Sequence, residues 1–112
     1  MPPTTRDEIP PGTLDLLILK TLYRHKELHG FQIANAIQTL SQDILQVEEG
    51  SLYPALQRMF LKGWLNANWG KTPENRRARF YTLSNEGRKQ LARELARYGR
   101  VSEAIGRVLE PA

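Results

Sequence analysis

The chain has 112 residues, 16 Lys and Arg against 12 Asp and Glu, a formal charge of +4 and no cysteine. A chain of that length makes one small domain with a marginal core of its own, so burial against a second copy is expected. The missing cysteines exclude a disulfide framework and a thiolate metal site. No run approaches the roughly 20 apolar residues that span a bilayer, and the start MPPTTRDEIPPG has neither a basic segment nor an apolar one, so a cytoplasmic protein without a membrane partner is expected.

The positive charge is local. Residues 1–57 hold four Lys/Arg against seven Asp/Glu, whereas residues 71–100 hold nine against three. Such an asymmetry suits a polyanionic partner, and by charge alone a solvated basic face suits it equally.

Residues 1–12 contain four prolines and no periodicity, which reads as a flexible or extended arm. Thr13 stands where it can cap a helix running from Leu14 to Tyr23. The apolar residues of that helix crowd most of its circumference, so it should be buried on more than one side, one face meeting its own domain and another a partner subunit. Arg24 to Leu28 reads as a polar link. A second helix is expected from His29 to Leu40, with Phe31, Ile33, Ile37 and Leu40 inward and Gly30 allowing close packing at its start. After a turn over Ser41–Gln46, Ile44, Leu45 and Val47 can pin the linker to the core.

A third helix should begin near Glu49 to Ser51 and stop at Gly63, a residue tolerant of left-handed backbone. Its inward stripe is Leu52, Leu56 and Met59, helped by Ala55 and Phe60, which leaves Ser51, Gln57, Arg58 and Lys62 outside. Pro54 falls within about the first turn, where a missing amide donor costs little. Trp64–Trp69 alternates as a strand, Ala78–Leu83 is a second, and GKTPENRR between them has the composition of a hairpin tip. Ser84 can cap a last helix with Glu86 in its first turn, although Gly87 stands where a capping-box glutamate would be. Leu91, Leu95, Tyr98, Val101, Ile105 and Val108 then repeat at three- and four-residue spacing, a seam best filled by the same helix of a second subunit.

The expected fold is therefore mainly α with a small β-hairpin: a winged helix-turn-helix over residues 13–83 and a C-terminal dimerisation helix over 84–112. Leu14, Leu17 and Ile18 join Leu91, Leu95, Tyr98, Val101, Ile105 and Val108 as candidate dimer contacts. In such a fold the third helix enters the major groove, where Ser51, Tyr53, Gln57 and Arg58 have hydrogen-bonding tips; Tyr53 serves equally as a core or phosphate-contacting ring. Lys62 lies further along that helix. Lys71, Arg76, Arg77 and Arg79 lie on or beside the hairpin tip, placed for phosphates or a narrow minor groove.

Other chemistries find little support. His25 and His29 have a four-residue spacing but flank a link and lack a third ligand, so no metal is expected. There is no P-loop, GxGxxG, GxSxG or HExxH, and the carboxylates are scattered, so neither catalysis nor a cofactor is expected. A winged-helix protein-interaction module without DNA binding is the rival reading, and several adjacent arginines at the tip argue against it.

PGTLDLLILKTL at 11–22, HGFQIANAI at 29–37, EEGSLYPALQRM at 48–59, KGWL at 62–65 and NRRARFYTLSNEGRKQL at 75–91 together resemble the PadR-type transcriptional regulators. The resemblance implies a homodimeric winged helix-turn-helix repressor of the short branch, dimerised through its first helix and a single C-terminal helix. It implies DNA contacts by Ser51, Tyr53, Pro54 and Gln57 and by Arg76 and Arg77. Some short-branch members bind flat aromatic molecules between subunits, against an aromatic residue of the last helix. Tyr98 stands at that position, where a well-studied relative has tryptophan, and it reads either as an effector contact or as a seam residue.

Overall fold

Burial of one apolar stripe per helix and pairing of three short strands organise the chain. The computed structural model describes residues 9–111. In chain order these form α1 (Leu14–His25), β1 (Glu27–His29), α2 (Gly30–Leu40), α3 (Glu49–Leu61), β2 (Leu65–Lys71), β3 (Arg77–Leu83) and α4 (Asn85–Leu109). The expected arm lies mostly outside the described residues; of its last part, Ile9 packs on the core and the Pro10 carbonyl accepts from the N–H and hydroxyl of Thr13, at 3.2 and 2.6 Å. The Thr13 hydroxyl therefore does not cap α1, although the residue occupies the N-cap position.

The sheet has three strands, not two. The stretch expected as a polar link contains β1, which pairs antiparallel with β3 from Glu27↔Thr82 to His29↔Phe80, giving the order β1-β3-β2. β2 and β3 pair from Leu65↔Leu83 to Lys71↔Arg77, so both strands are longer than their alternation suggested.

The core gathers Leu16, Ile18, Leu19 and Leu22 of α1, Ile33 and Ile37 of α2, Leu52, Ala55, Leu56 and Met59 of α3, and single residues, Leu65, Tyr81 and Leu91, from β2, β3 and α4. Burial raises the Tyr81 phenol above its ordinary pKa, against the opposing effect of nearby Arg79. Two expected core residues of α2 are not there: Phe31 is 69% exposed and Leu40 is exposed as well, while Ala34 packs inward in their place. Of the linker residues, Leu45 and Val47 reach the core and Ile44 stays at the surface. Gly63, at φ 81°, ends the α3 segment as its left-handed tolerance allows.

Ser84 joins the hairpin to α4 by two bonds of its hydroxyl, which accepts from the Gly87 N–H at 3.0 Å and donates to the Gly63 carbonyl at 2.6 Å. That tight junction explains the glycine at the capping-box position: a Cβ on Gly87 would press into the Trp64 carbonyl oxygen and come within 2.8 Å of Leu83. Gly87→Ala should therefore destabilise the fold by about 1–3 kcal/mol through overpacking, read from urea unfolding. An unchanged midpoint would mean that the junction relaxes freely.

Candidate nucleic-acid interface

The outer face of α3 is built by exclusion. With Leu52, Ala55, Leu56 and Met59 buried, the intervening Ser51, Tyr53, Pro54, Gln57 and Arg58 are necessarily at the surface, and all five are exposed. The helix is held close to α2 because Gly30 has no side chain: a Cβ there would lie 2.7 Å from the Tyr53 ring. Tyr53 is thus a packing residue on one edge and half-exposed on the other. Pro54 is the sixth residue of α3, beyond the first turn where it was expected, so the carbonyl of exposed Gly50 takes no helical bond from residue 54.

Two basic residues of α3 have local duties. Arg58 grips Asp15 in the first turn of α1 with a two-pronged pair, NH1 to Oδ2 and NH2 to Oδ1, both at 2.7 Å. This hydrogen-bonded pairing raises the Arg58 pKa further above its ordinary value. Its guanidinium, a candidate DNA contact, is paired with Asp15 and ties α3 to α1. Lys62 is the C-cap of α3, and its ammonium lies 4.8 Å from the Trp64 ring.

The wing tip is a small clasp around Thr72. Its N–H donates to the Arg76 carbonyl at 2.8 Å, its carbonyl accepts from Asn75 at 2.8 Å, and its hydroxyl accepts from the Arg76 N–H at 3.1 Å. Asn75 takes φ 64°, one of the few backbone conformations for which asparagine is favoured. Lys71, Arg76 and Arg77 surround this clasp, all exposed, and among the described residues none of them is in an ion pair. Arg77 lies over the ring of Trp69 at 4.4 Å. Trp69 continues the Leu65–Ala67 side of β2, yet it is 62% exposed because the wing there has run past the core.

Arg79 is set back from the tip, opposite Trp69 in the ladder. Its guanidinium lies 4.5 Å from the Phe60 ring and 5.8 Å from that of Tyr81, and its NH1 is 3.4 Å from Gln57 Oε1. The wing and the outer face of α3 are thereby joined into one surface. Expected on or beside the tip, Arg79 sits two residues along β3 from Arg77, and that spacing is the signal in the sequence, since alternate strand residues share a face and recede from the tip.

The candidate dimer contacts divide. Ile18 is fully buried and Leu91 nearly so, both in the subunit's own core, and they offer no surface to a partner. Leu14 and Leu17 are half-buried. Leu95, Tyr98, Val101, Ile105 and Val108 are exposed along α4, with Val108 at 83%. Tyr98 also lines a hollow of about 100 Å³ between the Pro11–Leu16 segment and α4, with Glu94, Arg97 and Val101. No cluster of three metal-ligating side chains occurs among the described residues.

The model of the transcriptional regulator PadR-like family matches residues 18–93, from the middle of α1 into α4. The chain belongs to the PadR-like family of transcriptional regulators. Among solved structures it resembles a transcriptional regulator from Clostridium thermocellum, with a TM-score of 0.80 at 21% identity over 88% of this chain and 95% of that one. It also resembles Bacillus subtilis PadR, solved in complex with operator DNA, with a TM-score of 0.66 at 23% identity over 77% of this chain and 48% of the other. An uncharacterised Lysinibacillus sphaericus protein is 27% identical over 105 residues, 94% of this chain and 95% of its own length. PadR-like proteins are regulators of transcription, not enzymes, and the winged-helix architecture of the chain matches theirs. No helix among the described residues is long and apolar enough to cross a membrane.

Proposed function

We propose that this PadR-like protein is a homodimeric, sequence-specific DNA-binding repressor, with α3 in the major groove and the wing tip on the sugar-phosphate backbone. The observation that carries the reading is the continuity of the two parts: the exposed Ser51, Tyr53, Pro54 and Gln57 on α3 are joined through Arg79 to a wing whose Lys71, Arg76 and Arg77 have no ion-pair partner among the described residues. Hydrogen-bonding tips that read bases stand beside cations that neutralise phosphates.

The exposed stripe of α4 supports the dimer. A second copy related by a two-fold axis covers both stripes at once and sets two recognition helices toward successive major grooves, about 34 Å apart on B-DNA. Bound across a promoter, such a dimer represses by occupancy.

Tyr98 supports a role for an aromatic effector. The 100 Å³ hollow beside it is smaller than the roughly 150 Å³ cavity that accommodates benzene, so a flat ligand would take its second wall from the partner subunit.

The test is a duplex from the protein's own promoter region titrated at several salt concentrations. Log affinity should fall linearly with log salt as counterions are released. Absent or salt-independent binding would favour the rival protein-interaction module.

A further inference from the structure

We propose that Arg79 is a positioning residue that decides which atom of Gln57 faces the DNA: it holds the amide oxygen and leaves the amide nitrogen, a donor, for the base edges. The inference rests on the placement of α3 in the major groove and adds a specificity that placement alone does not contain.

Arg79 is well fixed. It reaches across from β3 to lie on Phe60, three residues along α3 from Gln57, and near Tyr81 of its own strand. Two aromatic rings oriented toward a guanidinium hold it electrostatically and by stacking, so its position is set before DNA arrives. A guanidinium carries donors and no acceptor. Whichever amide atom turns toward it must therefore be the oxygen, and Oε1 stands 3.4 Å from NH1, at the long end of hydrogen-bonding distance. Gln57 is exposed on its other side.

The consequence concerns base choice. A free glutamine pairs with adenine by two bonds, accepting from N6 and donating to N7, and this needs both ends of the amide. With its oxygen turned onto Arg79 and one of that oxygen's two lone pairs engaged there, Gln57 directs its N–H groups toward the bases. Guanine, which offers O6 and N7 as adjacent acceptors, becomes the favoured partner; adenine offers N7 alone, and cytosine presents a donor to a donor. Arg79 makes no base contact itself, and it is not one of the phosphate-binding tip cations.

The full-length protein can be tested by selecting bound duplexes from a randomised pool and sequencing them. In the wild type, one position of the site, identified because Gln57→Ala abolishes its preference, should favour guanine over adenine. Arg79→Met keeps the stem over Phe60 and removes the guanidinium; it should move the preference at that position toward adenine by about tenfold. Arg79→Lys, which keeps a donor cation, should retain guanine. In a Gln57→Ala background Arg79→Met should change nothing at that position. Adenine favoured by the wild type at the Gln57-dependent position would overturn the proposal without any need for a folded Arg79 variant. So would an unchanged profile in a folded Arg79→Met protein, or a Gln57→Ala protein that selects the same sites as the wild type. A wild type that enriches no duplex at all would overturn the DNA-binding reading itself, an outcome distinct from these three.

Discussion

Leu95→Asp combined with Ile105→Asp should convert the proposed dimer to a monomer on a sizing column. Both side chains are exposed on the apolar stripe of α4. By two-fold symmetry each substitution enters the interface twice, so four carboxylates must lose water against apolar neighbours. At only about 1 kcal/mol each the dimer weakens by roughly a thousandfold, and an unpaired buried carboxylate costs more than that. Ala92→Asp with Ala96→Asp adds the same charge to exposed positions on another side of the helix and should leave the dimer intact. A Leu95/Ile105 variant that eluted with the wild type would move the interface off α4. DNA affinity should fall with the dimer, because two half-sites bound together gain far more than either alone.

The division within α4 shows what a sequence can disclose and what it cannot. Leu91, Leu95 and Tyr98 share one stripe by spacing, and the stripe was legible. Leu91 lies in the core of its own subunit, whereas Leu95 onward is exposed, with Tyr98 and Val101 beside the Pro11–Leu16 segment. Periodicity identifies an apolar face without naming its neighbour, and Ile18 was assigned to the dimer for the same reason. α3 was legible for a stronger reason: Leu52, Leu56 and Met59 leave only one way to orient it, and the glycine after it marks the stop. β1 was not. Three residues, Glu27–His29, carry too little alternation to announce a strand, and they become one because β3 supplies the pairing from more than fifty positions away. Arg58 illustrates the same limit in the candidate site, since its partner Asp15 lies 43 residues earlier. A cation on an exposed helix face was correctly seen as exposed, but the carboxylate that claims it is a matter of tertiary contact. Arg79 completes the pattern: its charge was visible, while one ring and the amide that direct it inward belong to α3, some twenty residues earlier in the chain, and the other ring to its own strand.

Arg76→Ala with Arg77→Ala should weaken DNA binding by the largest factor of any surface change, with little effect on which sequences are preferred. Both side chains are exposed at the Thr72 clasp, and the bonds that shape the clasp come from backbone groups and from Thr72, so the turn survives the loss of the guanidiniums. A dimer presents two wings and therefore loses four cations. If each neutralises one phosphate, the slope of log affinity against log salt becomes shallower by about 3.6, taking roughly 0.9 per phosphate. The deficit is greatest at low salt and narrows as salt rises, because the counterions that the arginines would release are then less diluted. Gln57→Ala should behave in the opposite way, leaving the slope in place and altering preference at one position of the site. Arg77 adds a spectroscopic measure, since its guanidinium lies 4.4 Å from the ring of exposed Trp69. Transfer of that guanidinium to a phosphate would uncover the ring, so wild-type Trp fluorescence should change on DNA binding and the double variant should lack most of that change. An affinity loss without a change in slope would mean that the two arginines read bases or groove shape instead of phosphates. No loss at all would place the grip on Lys71 and α3 alone.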